Sequence, residues 1–255
     1  MRLGARVLWL AASFVVAAVL VEGWQLVADF QLVSPVFLPS PARAWQALVN
    51  GFYADNIGGQ TVATIERMIY GWLLSSVVGV ALGALIGSSR RAQAYLGPTL
   101  EFIRPLPASA VAPVAIAFLG LSNAMVLGVI VFGTLWPMLL ATVHGFASVS
   151  PRLREVARIL KLSPLEIIWK IALPTAMPDI LAGMRLGLTV ALILTIVGEM
   201  LTSQDGLGRL ILLASRSFQA PELYAGVILL GLIGLGSNLL LSLLDKWLLR
   251  WRSAR

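Results

Sequence analysis

Apolar residues in this chain fall in long blocks, near 7–28, 67–89, 100–120, 124–147, 178–201 and 223–247, rather than alternating with polar ones. Each block is close to the roughly 20 residues a helix needs to cross bilayer hydrocarbon. The pattern predicts an all-α integral membrane protein of about six transmembrane helices, folded as a single domain over 1–255. The third block carries Pro105, Pro107 and Pro113, so its helix is expected to be partly broken or tilted. Neighbouring groups must then satisfy the backbone that proline frees.

The first block follows Met1-Arg2-Leu3-Gly4-Ala5-Arg6, a start that signal peptides share. It continues through Trp24 to Val27 without a clear small-residue cleavage site, which favours an uncleaved membrane helix. The second block carries Gly71, Ser75, Gly79, Gly83 and Gly87 at four-residue spacing. Such a stripe admits another helix at close range, from the same chain or from a second copy.

Polar residues mark two long connections. In the first, Gln31 to about Glu66, Ser40-Pro41 is a cap followed by a first-turn proline. The short helix it opens should run to Asn50 and stop at Gly51. The second connection, 148–177, holds two such starts. Ser150-Pro151 opens a helix on which Leu153, Val156 and Leu160 share a face, with Arg154, Glu155, Arg158 and Lys161 mostly away from it. Ser163-Pro164-Leu165-Glu166 opens another, with Glu166 placed to close a capping box. Pro174 should end that helix near Ala172 or Leu173. On pattern alone the pair either lies on lipid headgroups or docks a partner.

Basic residues orient the spans. With the N-terminus in the cytoplasm, the inner side holds Arg2, Arg6, Arg90, Arg91, Arg104, Arg152, Arg154, Arg158, Lys161, Lys170, Arg185, Lys246, Arg250, Arg252 and Arg255. The outer side holds Arg43, Arg67, Arg209 and Arg216. Both termini, and the connection 148–177, are therefore expected on the cytoplasmic face.

Composition agrees, at 58% apolar and 12% charged residues against roughly 45–50% and about 25% in soluble domains. The net charge of +7 sits between spans and is not interleaved with aromatics, which points to membrane lipid rather than nucleic acid. The absence of cysteine removes disulfides and thiolate metal sites. The chain has no G-x-x-x-x-G-K-[ST] phosphate loop, so no nucleotide cofactor is expected in it. The single histidine, His144, reads as structural, and no nucleophile–base set or metal site can be assembled around it.

Glu155-Val156-Ala157, then Lys161, then Ile171-Ala172-Leu173-Pro174 resembles the EAA motif of permeases in binding-protein-dependent ABC importers. That motif reads E-A-A, three residues, G, nine residues, I-x-L-P, and the spacing here is the same throughout. Val156 departs mildly from alanine. Lys161 stands where glycine makes a tight turn; it either adopts a left-handed conformation or lets the first helix run one residue further. Leu38-Pro39-Ser40-Pro41, Arg104-Pro105-Leu106-Pro107, Leu181-Ala182-Gly183-Met184-Arg185-Leu186, Val197-Gly198-Glu199-Met200 and Gly206-Leu207-Gly208 extend the likeness to the nitrate/sulfonate/taurine/bicarbonate branch.

The resemblance implies a type I ABC importer permease with two short cytoplasmic coupling helices, moving a small anionic solute. It implies two ATPase subunits that bind ATP and Mg, a second permease copy, preferably identical, and an extracytoplasmic substrate-binding protein. It places ATPase coupling on Glu155, Ala157, Arg158, Lys161, Leu162, Ser163, Pro164, Leu165, Ile171, Leu173 and Pro174. The alternatives, a secondary transporter or a scaffold without an ATPase, find less support, because no internal repeat is visible.

Ionisable groups inside spans are costly and often functional. Arg104 and Arg185, near inner helix ends, either snorkel to the interface or line the inner part of an anion path. Glu199 lies about 21 Å beyond Arg185 along the fifth helix, too far for a direct pair. There a structural hydrogen bond is favoured over contact with an anionic solute, although Glu199 is kept as a path candidate.

Overall fold

A computed structural model describes residues 3–54 and 56–250, and every regular element among them is helical. Three long helices form the core. α3 (Ile57–Ser88) and α9 (Leu173–Thr202) each pack along α6 (Asn123–Ala147) and also touch one another. The glycine stripe of α3 faces α6 of the same chain. A Cβ on Gly83 would lie 2.6 Å from Thr142 Cβ, and one on Gly87 2.6 Å from Phe146 Cβ. The small residues therefore serve packing within the chain. Gly183 and Gly187 of α9 admit α6 in the same way, against Ala141 and Met138. Thr134 and Thr142 are buried at these seams and return their hydroxyls to carbonyls one turn back in α6. Trp72 of α3 donates its indole N–H to Met184 O of α9 at 2.9 Å.

The third block is broken, as its prolines predicted. α4 (Arg90–Ile103) and α5 (Ala108–Leu119) meet at 87° across the turn that holds Pro105 and Pro107. Among the described residues, five helices are long and apolar enough to cross a membrane, or six if this bent pair counts as one crossing. Neither short helix could span alone, since the 12 residues of α5 rise only about 18 Å.

Around the core stand α1 (Leu3–Asp29), α2 (Pro41–Ala54), α10 (Leu207–Arg216) and α11 (Ala220–Leu248). Trp24 of α1 stacks on Tyr224 at 5.4 Å and bonds Pro39 O at 2.9 Å, tying α1 to the end where α10 lies. That end is the far end below, and the end carrying 148–177 is the loop end. α10, amphipathic with Leu207, Ile211 and Ala214 buried, was not anticipated from the sequence.

Other boundaries differ from expectation. α2 continues past Gly51 to Ala54, with Ala44 and Leu48 buried. α3 begins at Ile57, ten residues before the apolar block. Its polar first turns carry Gln60, Thr64 and Arg67, which bond inside the protein. Arg67 is thus a buried helix residue and not an outer-loop cation. Arg2, Arg252 and Arg255 lie outside the described residues.

Candidate functional site

The connection at the loop end builds two helices from local chemistry. Ser150 Oγ accepts from Leu153 N at 3.4 Å, and Pro151 fills the first position of α7 (Pro151–Ile159). α7 ends in a Schellman motif: Lys161 N donates to Arg158 O, and Leu162 N to Ala157 O, each at 3.0 Å. Lys161 has φ 49°, so the left-handed turn is made by lysine where the motif favours glycine. Ser163 then caps α8 (Pro164–Ile167), and Glu166 completes the capping box by accepting from Ser163 N at 2.9 Å. Glu166 also pairs with Lys170 at 2.7 Å, one turn on.

Pro174 does not end this second helix. α8 passes through a π-helical segment, Ile168–Ala172, directly into α9, making one helical run from Pro164 to Thr202. The wider π turn absorbs the proline: Pro174 falls within the first turn of α9, where a missing N–H costs least. Thr175 Oγ1 caps Ile171 O at 2.6 Å within the same stretch.

α7 sits on the bundle through Ala157 and Arg154, while Arg152, Glu155 and Arg158 stay exposed. Ala157 is fully buried and Arg154 half-buried. Leu153, Val156, Ile159 and Leu160 are exposed, as are Leu165 of α8 and Trp169 of the π segment. Glu155, Arg158, Lys161, Ser163 and Pro164 are exposed beside them, while Leu162, Ile171 and Leu173 are half-buried. The loop end thus presents an apolar stripe edged by charge.

The charges within the helices divide into three cases. Arg104 caps the C-terminus of α4 at the bend before α5 and is exposed. Arg185 of α9 is paired with Asp245 in the last turn of α11. Glu199 is fully buried at the far end, where Arg67 pairs with one carboxylate oxygen. The other oxygen accepts from Thr64 Oγ1 at 3.1 Å and Gly208 N at 2.9 Å. Arg67 also donates Nε–H to Asn123 at 2.8 Å and both terminal nitrogens to Asp205 O at 3.2 Å. Thr64 Oγ1 accepts from Leu207 N at 2.8 Å, and Gln60 from Gly206 N. The network ties α3, α6 and α9 to the turn before α10. Sequence reading singled out Glu199 but missed Arg67, Thr64 and Gln60. The one available signal was Arg67 in the four-residue register of the glycine stripe that starts at Gly71, with Thr64 three residues before it.

These features define a helical membrane protein. The fold matches one protein chain in a structure of the inward-facing MetNI methionine ABC transporter, with a TM-score of 0.64 at 14% identity, over 72% of this chain and 92% of that one. The chain belongs to the family of binding-protein-dependent transport system inner membrane components, whose model matches residues 76–253. SsuC of Bacillus subtilis, named for aliphatic sulfonate transport, is 32% identical over 93% of this chain and 86% of its own. The nitrate import permease NrtB of Synechocystis is 31% identical over 87% and 82%. The taurine permease TauC of Escherichia coli is 27% identical over 92% and 87%. The chain is therefore an ABC importer permease of the inner membrane, from a family of transport components and not of catalysts. Membership implies ATPase and substrate-binding protein partners.

Proposed function

We propose that the chain is one permease domain over 1–255, that it forms the path for a small anionic solute, and that 148–177 couples it to a cytoplasmic ATPase that binds ATP and Mg. The carrying observation is the apolar stripe Leu153, Val156, Ile159 and Leu160, turned away from the bundle on a rigidly capped helix. A contiguous apolar surface rimmed by charge fits a protein partner better than water. Glu155, Ala157, Arg158, Lys161, Leu162, Ser163, Pro164 and Leu165 form the contact in this reading. Ile171, Leu173 and Pro174 pass its motion into α9. Two copies, preferably identical, enclose the path, with an extracytoplasmic binding protein at the far end and both termini in the cytoplasm. Arg104 and Arg185 are the cations assigned to the path. Glu199, with both oxygens engaged, fixes the far end of α9.

An anionic solute is inferred from the sulfonate, nitrate and taurine relatives. Ligand screening of the partner binding protein against these anions tests the class. Coupling is tested by hydrogen exchange over 150–174 with and without the ATPase. Protection in the complex is expected; equal exchange in both samples removes the assignment. Glu155→Ala should weaken ATPase association by about 2–5 kcal/mol if its charge meets a buried cation there, and lower ATP-driven uptake with normal membrane insertion. Wild-type assembly and uptake in that variant would end the docking role of Glu155.

A further inference from the structure

A cleft of about 560 Å³ opens at the loop end between the start of α4, the end of α6 and the inward side of α7. Its lining includes Arg90, Arg154 and Arg158, with Gln93 and Ser148 between them and Glu155 at the same wall. Among the described residues, none of these three arginine side chains has an ion pair or hydrogen bond. Gln93 is held in place by donating to Gly87 O at 2.8 Å. Arg154 and Arg158 stand four residues apart on one helix, where like charges oppose helix formation. Three cations face one carboxylate round this cavity, Arg154 half-buried and Arg90 and Arg158 exposed, a net positive surface that attracts anions. Arginine's planar fork suits phosphate oxygens in particular.

Depth selects the source of the phosphate. α3 and α6 end side by side here, since a Cβ on Gly87 would touch Phe146. The 25 residues of α6 measure about 37 Å, more than the roughly 30 Å of hydrocarbon and within the roughly 40–45 Å that includes headgroups. With α6 centred on the bilayer, this end and the cleft beside it fall at the level of the headgroups. Five residues along α4 from Arg90, Tyr95 is 82% exposed and Leu96 is exposed beside it, offering the aromatic and aliphatic surface that suits an interface. The outward stripe of α7 lies on the other side of that helix and remains free for a protein.

We propose that this cleft holds the phosphate of an anionic phospholipid, gripped by Arg90 and Arg154, with Arg158 at the rim it shares with the ATPase-facing surface. The lipid fastens α7 to the ends of α3 and α6. The site rests on the membrane embedding of the bundle and is independent of which solute is carried.

Native mass spectrometry of the full chain, titrated with phosphatidylglycerol, tests it. Wild type should retain the lipid, and Arg90→Gln/Arg154→Gln should bind it about thirtyfold more weakly, from roughly fivefold per arginine. Arg90→Lys/Arg154→Lys should recover most of the binding, which a folding defect would not allow. Arg91→Gln, next in sequence but outside the lining, should match wild type. Equal retention by wild type and the double glutamine variant overturns the site. So does displacement of the lipid by inorganic phosphate, which would make it a soluble-anion site. Retention of phosphatidylcholine as strongly as phosphatidylglycerol would overturn the demand for net charge. Protection of Arg90 and Arg154 from arginine-directed labelling only when the ATPase is bound would assign the cleft to a protein carboxylate instead.

Discussion

Glu199 shows what a single buried carboxylate can organise. An acid inside a membrane helix survives only with its charge met, and here a guanidinium, a hydroxyl and a backbone N–H meet it. Glu199→Gln keeps the shape but leaves Arg67 buried beside a neutral amide. The expected loss is about 3–5 kcal/mol, seen as a lower unfolding temperature of the purified chain in detergent. An unchanged midpoint would mean that Asp205 O and Asn123 suffice for Arg67. The acid was legible in the sequence because it interrupts an apolar run. Its partner was not, because Arg67 looks like any cation outside a span. Only the fold brings residues so distant in the chain to one point.

At the scale of elements, helix starts were legible and helix ends less so. Ser-Pro pairs at Ser40, Ser150 and Ser163 mark their helices because a hydroxyl cap and a proline in the first turn act within a few residues. Pro174 was misread as a terminator, since nothing local announces a π turn that accommodates it. The ten residues added to α3 were hidden for a related reason: their polar groups are satisfied by the distant turn before α10. α10 escaped notice because its apolar face is short. The turn between α7 and α8 stores a measurable strain. Lys161 holds φ 49°, which costs a residue with a Cβ about 1–2 kcal/mol relative to relaxed backbone. Lys161→Gly should raise stability by up to that amount in a denaturation series and leave transport intact. Lost transport at unchanged stability would instead identify the ammonium as a coupling contact.

For the whole molecule, the membrane class followed from block length alone, with five crossing helices among the described residues, or six if the bent pair is one crossing, and the bend needed its prolines. The pairing of Arg185 with Asp245 was out of reach, because Asp245 lies in a different apolar block. That pairing sharpens the comparison between the two path cations. Arg104→Gln should lower uptake of the anionic solute in liposomes, since its charge is exposed at the break. Arg185→Gln should lower both uptake and thermal stability, because Asp245 loses its partner. Unchanged uptake in both variants at matched protein levels would return these arginines to an anchoring role.

The helical run from Pro164 to Thr202 comprises 39 residues, about 58 Å of continuous backbone. One end carries the surface assigned to the ATPase and the other is fastened by Glu199 to the turn before α10. A rod fixed in this way cannot be displaced at one end without a torque at the other. If the binding protein docks at the far end as proposed, thermodynamic reciprocity applies: the factor by which its docking changes nucleotide affinity of the ATPase equals the factor by which nucleotide changes its docking. In the proposed arrangement both ends of α9 then share one mechanical coordinate, and neither end is the sole sender of the signal.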